Sequence, residues 1–350
     1  MVRFLLILIF FSSNVIAREC KFNDYSISKD DKYIAFELCE LMEGESSGGY
    51  FKGLMSLLGW DFEFNQECYL IKYDLVNGKV VNNIPVNDLF DGYELDIVEF
   101  STIDDTKLLL TIFNRNPTID SSFEDVIEFD IETSSYTRIF EGEENISNIF
   151  PVDDGENILI DTYSKNSNDE LTVGVFNIKS DLGKHQNAVL LTKGEYEASG
   201  ASLSGRFFYF NSYPINHGEL NVDDSNIVHL AKWKSGFITD IERIVELDDY
   251  NARNPTVSDD GTLVFSSRKS GLDRNGHYMF NLFIKRLGEE VKQFTHYDQF
   301  IFPPIISRSG DNVIFFGEDE SGFRKLQVIS TKDNTVVKIS PKDIDSRCDY

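Results

Sequence analysis

"NPTVSDDGTLVFSSRKSG", residues 254–271, decides how the chain is read. A short apolar stretch ends in Ser258-Asp259-Asp260-Gly261. A second apolar stretch, residues 263–266, follows at once, and a polar run closes the segment. Asp and Gly tolerate left-handed backbone, and Asp also satisfies nearby backbone donors, so the segment predicts two antiparallel strands joined by a tight turn. Found once, this would be a hairpin. Found many times, it would be the architecture.

It recurs. Related segments are "SISKDDKYIAFEL" around Asp31, "STIDDTKLLLTIF" around Asp105 and "FPVDDGENILIDTY" around Gly155. "ASLSGRFFYFNSY" around Gly205 and "IISRSGDNVIFFGE" around Gly310 complete the set with Gly261. The spacings between turn positions are 74, 50, 50, 56 and 49 residues, a period near 50 with one long member. After each second strand comes a third: "CYLIKYDL", "DVIEFDIE", "LTVGVFNI", "NIVHLAKW", "NLFIKRLG" and "KLQVIST". A weaker fourth follows: "KVVNNI", "YTRIFEG", "AVLLTKG", "IERIVEL", "EVKQFTH" and "TVVKIS". Four strands per unit and six units predict an all-β fold, a six-bladed β-propeller of four-stranded blades. Approximate blade bounds are 22–88, 95–142, 146–194, 196–247, 251–299 and 300–340, with an insertion at 40–67 in the first. No blade buries both faces alone, so stability must come from stacking against neighbours. Pro255 is expected at the start of an innermost strand, where a missing donor is tolerated.

The segment "NPTVSDDGTLVFSSRKSG…NLFIKRLGEEVKQFT" resembles the WD40-like (PD40) repeat of TolB-like propellers. The sixth unit, "SRSGDNVIFFGEDESG…KLQVIST", also resembles it well, and the first four more loosely. The resemblance spans nearly the whole chain after the first residues. It implies the fold and little about activity. TolB itself carries an α/β domain ahead of its propeller, whereas here the first unit begins near residue 22.

Residues 1–17, "MVRFLLILIFFSSNVIA", combine Arg3, an apolar run at 4–11 and a small residue at Ala17. That predicts a secretory signal peptide, too short to span a bilayer, and an exported chain, periplasmic or secreted, from about Arg18. The formal charge is −26, and losing Arg3 with the leader makes it −27. Such a surface repels phosphate backbones and anionic lipid heads, so neither nucleic acid nor membrane insertion is expected.

Four cysteines in an exported chain suggest two disulfides, with three possible pairings. Under the blade reading, Cys39 ends a second strand and Cys68 begins the neighbouring third. Cys20 and Cys348 lie at the two chain ends, which a closed propeller brings together. Cys39–Cys68 and Cys20–Cys348 are therefore expected. Closing the roughly 30-residue loop of the first pair is worth about 3–4 kcal/mol in a chain-entropy account.

In this topology the loops joining second to third strands, and those entering first strands, share one face. The insertion at 40–67 sits among them. Its Tyr50, Phe51, Leu54, Met55, Leu57, Leu58 and Trp60 have near-helical spacing, predicting a short amphipathic helix that docks a partner or covers the propeller. Candidate binding residues on or near that face are Tyr50, Trp60, Arg115, Tyr163, Tyr213, His217, Arg253, Arg268, His277 and Tyr297.

Catalytic motifs do not emerge. The histidines at 185, 217, 229, 277 and 296 form no local metal motif. "GASLSG" at 200–205 fails Gly-x-Ser-x-Gly because Ser204 holds the last position. "DRNG" at 273–276 lacks the remaining ligands of a calcium loop, and "NIS" at 145–147 is a glycosylation sequon only in a eukaryotic host. No cofactor is expected. The leading expectation is a module that binds another envelope or extracellular protein or peptide. The alternative is a metal-assisted, glycan-acting enzyme or small-ligand binder at the channel mouth, using a divalent cation.

Overall fold

The computed structural model describes residues 19–41, 67–90, 93–101, 104–114, 124–141, 145–152, 157–165, 171–179, 189–190, 196–204, 207–214, 227–234, 237–244, 252–269, 280–297, 301, 303–318, 324–346 and 348. The expected leader, the expected helix of the insertion, Tyr50 and Trp60 lie outside them.

The fold is an all-β propeller of four-stranded blades. Among the described residues the strands form six antiparallel sheets, each built from four consecutive strands. Sheet 1 holds β1 (Glu19–Ile27), β2 (Tyr33–Leu41), β3 (Glu67–Asp74) and β4 (Lys79–Pro85). Sheet 2 holds β5 (Tyr93–Phe100), β6 (Lys107–Asn114), β7 (Glu124–Asp130) and β8 (Ser135–Glu141). Sheet 3 holds β9 (Asn145–Val152), β10 (Asn157–Lys165), β11 (Leu171–Lys179) and β12 (Val189–Leu190). Sheet 4 holds β13 (Tyr196–Ser204), β14 (Phe207–Pro214), β15 (Ile227–Lys234) and β16 (Phe237–Arg243). Sheet 5 holds β17 (Arg253–Val257), β18 (Leu263–Ser267), β19 (Asn281–Lys285) and β20 (Lys292–Gln293). Sheet 6 holds β21 (Ile305–Ile306), β22 (Asn312–Glu318), β23 (Arg324–Ser330) and β24 (Val336–Ile339). Two one-turn helices follow β4 and β24: α1 (Val86–Leu89) and α2 (Pro341–Ile344). Among the described residues no helix is long and apolar enough to cross a membrane.

One serine device builds the turn after the first strand. Ser28, Ser258 and Ser307 each donate their N–H to the carbonyl of Tyr33, Thr262 and Asn312, and those residues return an N–H to the serine Oγ. The turn position is left-handed in each: Asp31 (φ 62°), Gly261 (φ 85°) and Gly310 (φ 80°). A Cβ at Gly310 would also lie 3.2 Å from Ser258 Oγ, so glycine answers both constraints there. These turns clasp one another across sheets. The Asp259 N–H donates to the Arg308 carbonyl, and the Ser309 hydroxyl donates to the Asp31 carboxylate.

Two details correct the sequence reading. The fourth strand of sheet 4 is Phe237–Arg243 rather than "IERIVEL" at 241–247, because only Ser235 and Gly236 separate it from β15. Pro255 falls within a register shift between Arg253 and Thr256, not at the strand start. A bulge leaves residues out of the ladder, so the missing proline donor costs nothing there. Corresponding shifts occur in β1 between Phe22 and Tyr25, in β5 between Leu95 and Val98, and in β13 between Ser199 and Ser202.

The core is divided among the gaps between sheets, as expected for units that bury their faces only against neighbours. One cluster (Ala35, Leu70, Val98, Leu108 and others) joins sheets 1 and 2. Another (Leu109, Val126, Ile149, Ile160) joins sheets 2 and 3. Tyr209 with Val257, Leu263 and Phe265 joins sheets 4 and 5, and Val264 with Val313 and Phe315 joins sheets 5 and 6. A fifth joins the first sheet to the last: Phe22, Tyr25, Phe36 and Ile71 pack with Ile314, Phe316, Leu326 and Cys348. Phe22 stacks on Phe316 at 5.8 Å and meets Phe36 edge-on at 5.2 Å. Both expected disulfides are present, Cys20–Cys348 and Cys39–Cys68. Cys39 and Cys68 are direct partners in the β2–β3 register.

Candidate binding surface

The antiparallel order sets two ends for every sheet. At one end lie the serine turns and the turns joining third to fourth strands. At the other, here called the crown end, lie the starts of first and third strands and the ends of second and fourth strands. The crown end of sheet 5 forms the candidate surface. Arg253 opens β17, Arg268 follows β18 and Phe280 precedes β19. The two guanidinium carbons lie 5.5 Å and 5.0 Å from the centre of the Phe280 ring, one aromatic ring holding two cations. Both arginines are half-buried.

Beside them a polar network ties sheet 5 to sheet 6. Asn281 Oδ1 accepts the Thr295 hydroxyl at 2.9 Å and the Tyr297 N–H at 2.8 Å. The Tyr297 hydroxyl meets Gln327 Oε1 at 2.9 Å, and its ring packs 5.9 Å from Phe315. Burial raises the Tyr297 phenol above its ordinary pKa, so it stays a neutral hydrogen-bonding group at physiological pH. A Cβ on Gly317 would fall 2.0 Å from Gln327 Nε2, so glycine there leaves the space Gln327 occupies.

The structure therefore gathers three of the expected residues, Arg253, Arg268 and Tyr297, on neighbouring crown segments. Tyr163 and Tyr213 belong to β10 and β14, near their crown ends. Arg115, His217 and His277, like Tyr50 and Trp60, lie outside the described residues.

Sequence reasoning missed a second set of carboxyls, three on first strands and one at the start of a third strand. The first strands of successive sheets pack side by side from β1 through β21. Asp24 lies in the β1 bulge, Asp96 in the β5 bulge, Glu99 near the end of β5, and Glu124 opens β7. Asp24 Oδ2 accepts the Val98 N–H at 2.6 Å and Glu124 Oε2 accepts the Ile146 N–H at 2.9 Å, so each carboxyl bridges to the next sheet. Burial pushes Asp24 up to about 7, Glu99 up to about 8 and Glu124 up to about 7. Asp96 and Glu37 add repulsion at Asp24, while Ser26 and Arg308 partly offset the rise at Glu99. Arg308 also donates to the Pro151 carbonyl at 3.2 Å, reaching from sheet 6 to sheet 3. The acids stand among other polar residues in "KFNDYSI" and "YELDIVEF", so the sequence did not single them out.

Among the described residues one group has the donor types of a metal site: Glu37, Cys39 and Cys68. Its two sulfurs are joined as a disulfide and offer no thiolate, so the residues do not fit a metal.

Known structures share the fold. The β-propeller domain of the Trilobed protease from Pyrococcus furiosus, described as having an open velcro topology, superposes with a TM-score of 0.54 at 12% identity. The match covers 93% of this chain and 98% of that one. TolB from Acinetobacter baumannii gives 0.52 at 12% identity, covering 93% and 85% of the two chains. An acylaminoacyl peptidase from Pyrococcus horikoshii gives 0.57 at 12% identity, with 92% of this chain covering 52% of that enzyme. At these identities the likeness defines a class, the β-propellers with TolB-like and peptidase-propeller neighbours, and nothing finer. No family model and no curated protein matches the sequence.

Proposed function

We propose that the six sheets are the blades of one closed TolB-like propeller of the PD40-repeat kind, exported, which binds another extracellular or envelope protein or peptide through its crown. The observation that carries this reading is the pairing of Arg253 and Arg268 on Phe280, next to the Tyr297 network. In a chain of formal charge −26, two cations held on one ring make a local exception to the prevailing field. A guanidinium carries five donors, so it can serve an internal partner and a ligand together. The ligand chemistry that fits is a carboxylate-bearing segment, an acidic side chain or a chain terminus. The blades would act by rigid display, holding the loops in place without ordering cost on binding.

The test is crosslinking in the native host, comparing the intact protein with an Arg253→Ala/Arg268→Ala variant of unchanged circular dichroism. A crosslinked partner is expected with the intact protein. Its yield should fall at least tenfold in the variant, as it should for the intact protein at high salt. Equal capture by both forms would remove the arginine pair from the binding surface.

A further inference from the structure

Each sheet is made of four consecutive strands, so among the described residues no strand leaves one sheet to complete another. A ring assembled this way has no hydrogen-bonded ladder across the gap between its first and last sheets. What crosses that gap is of another kind. The Cys20–Cys348 bond joins β1 to the segment after α2, with 328 residues between its ends. The Tyr25 hydroxyl donates to the Pro303 carbonyl, and the Ser309 hydroxyl and Asn312 amide donate to Asp31. Phe22 and Tyr25 pack on Phe316, at 5.8 Å and 4.5 Å. Packing and single hydrogen bonds can part and reform, whereas a covalent bond cannot without chemistry.

We propose that the Cys20–Cys348 disulfide is a latch: intact, it holds the first and last blades together, and once reduced it lets the ring part at that one seam. This rests on the closed-ring reading given above. Both sulfurs belong to buried residues, Cys20 8% exposed and Cys348 not at all, so the latch yields only when the segment after α2 lifts. Release requires a dithiol reductant. Its thiolate attacks one sulfur, forming a mixed disulfide and freeing the other cysteine. Its second thiol then displaces the mixed disulfide. Two electrons and two protons pass to the protein, leaving two cysteine thiols and an oxidised, cyclic reagent. Cys39–Cys68 ties β2 to β3 inside one sheet, so its reduction frees no seam.

The experiment is hydrogen exchange by mass spectrometry on the full chain, comparing the oxidised protein, Cys20→Ser/Cys348→Ser and Cys39→Ser/Cys68→Ser. The oxidised protein treated with dithiothreitol is the fourth sample. Opening at one seam is expected to speed exchange at least tenfold in β1 and in peptides spanning 303–317, with β5–β7 unchanged. This should appear in Cys20→Ser/Cys348→Ser and after dithiothreitol, and not in Cys39→Ser/Cys68→Ser. A uniform rise over all sheets, no change anywhere, or a Cys20→Ser/Cys348→Ser chain that cannot fold would each overturn the latch. In the last case the bond is a requirement of folding and not a closure. Peptide mapping distinguishes the two levels of failure. Cys20 and Cys348 joined, with uniform exchange, defeats the latch alone, whereas the two unjoined defeats the closed ring beneath it.

Discussion

Raising the pH from about 5 to about 9 is expected to destabilise the protein. The cause is a set of buried carboxyls. Glu99 holds its proton to about 8, and Asp24 and Glu124 hold theirs to about 7, because burial penalises the charged form. In the unfolded chain all three ionise near pH 4. Between those values the folded state binds more protons than the unfolded one, so stability falls with rising pH. The loss begins near the unfolded pKa and levels off once pH passes the folded values. At about 1.4 kcal/mol per pKa unit, Glu99 alone carries a penalty on the order of 5 kcal/mol above pH 8. Asp24 and Glu99 repel each other, so their contributions do not simply add. The turn carboxylates work the other way. Asp74 is held low by the Asn77 side chain, and Asp130 and Asp333 by the N–H groups of Thr133 and Thr335, so their help fades as pH falls through their folded values. Maximum stability is expected near pH 5, at the acidic edge of the usual range. Urea unfolding at pH 5, 6.5 and 8.5 reads it directly. Glu99→Gln, which imitates the protonated acid, should raise the midpoint at pH 8.5 and flatten the profile. A wild-type profile that is flat or rises over this range would refute the assignment.

The second large effect belongs to Phe22. Its ring is fully buried between Phe36 of its own sheet and Phe316 of the last. Phe22→Ala removes that ring from the seam and leaves a cavity the flanking sheets cannot collapse without shifting. A loss of about 3–5 kcal/mol is expected. Because the seam is latched by Cys20–Cys348, the variant should still fold in oxidising buffer and lose much more of its structure when reduced. Equal destabilisation with and without reductant would mean that packing and disulfide do not guard the same seam. The readout is the urea midpoint in each buffer.

Much of the fold could be read in the chain because the turns carry their own chemistry. Ser258-Asp259-Asp260-Gly261 and its relatives at Ser28 and Ser307 place a hydroxyl where it accepts the closing N–H and a left-handed residue where the backbone reverses. That device is local, so it shows in the sequence. Strand ends without such chemistry were harder to place. The sixth unit's first strand shrinks to Ile305–Ile306 because Pro303 and Pro304 precede it and offer no donors. The fourth strand of sheet 4 begins earlier than the sequence suggests, because the two residues between β15 and β16, Ser235 and Gly236, carry no acidic turn signature.

The candidate surface was half legible. Arg253, Arg268 and Tyr297 stood out as binding residue types in loops, and the structure adds the ring of Phe280 that holds the two arginines. Asp24 and Glu99 were hidden because their position depends on bulges. A skipped residue in β1 or β5 changes which side chains fall on each face of the sheet, and nothing in the apolar alternation announces the skip. The partners of Glu99 and Asp24, namely Arg308, Ser26 and Val98, come from other strands and other sheets, which only the folded chain brings near.

The central claim is that one chain closes on itself, its first sheet against its last. Non-reducing peptide mapping tests it most directly: digest the thiol-blocked protein without reductant and identify the linked fragments by mass spectrometry. A fragment joining Cys20 to Cys348 is expected, together with one joining Cys39 to Cys68 and no blocked free cysteine. Cys20 linked to Cys39 or Cys68, or Cys20 and Cys348 both recovered as blocked thiols from an oxidised preparation, would contradict the closed ring.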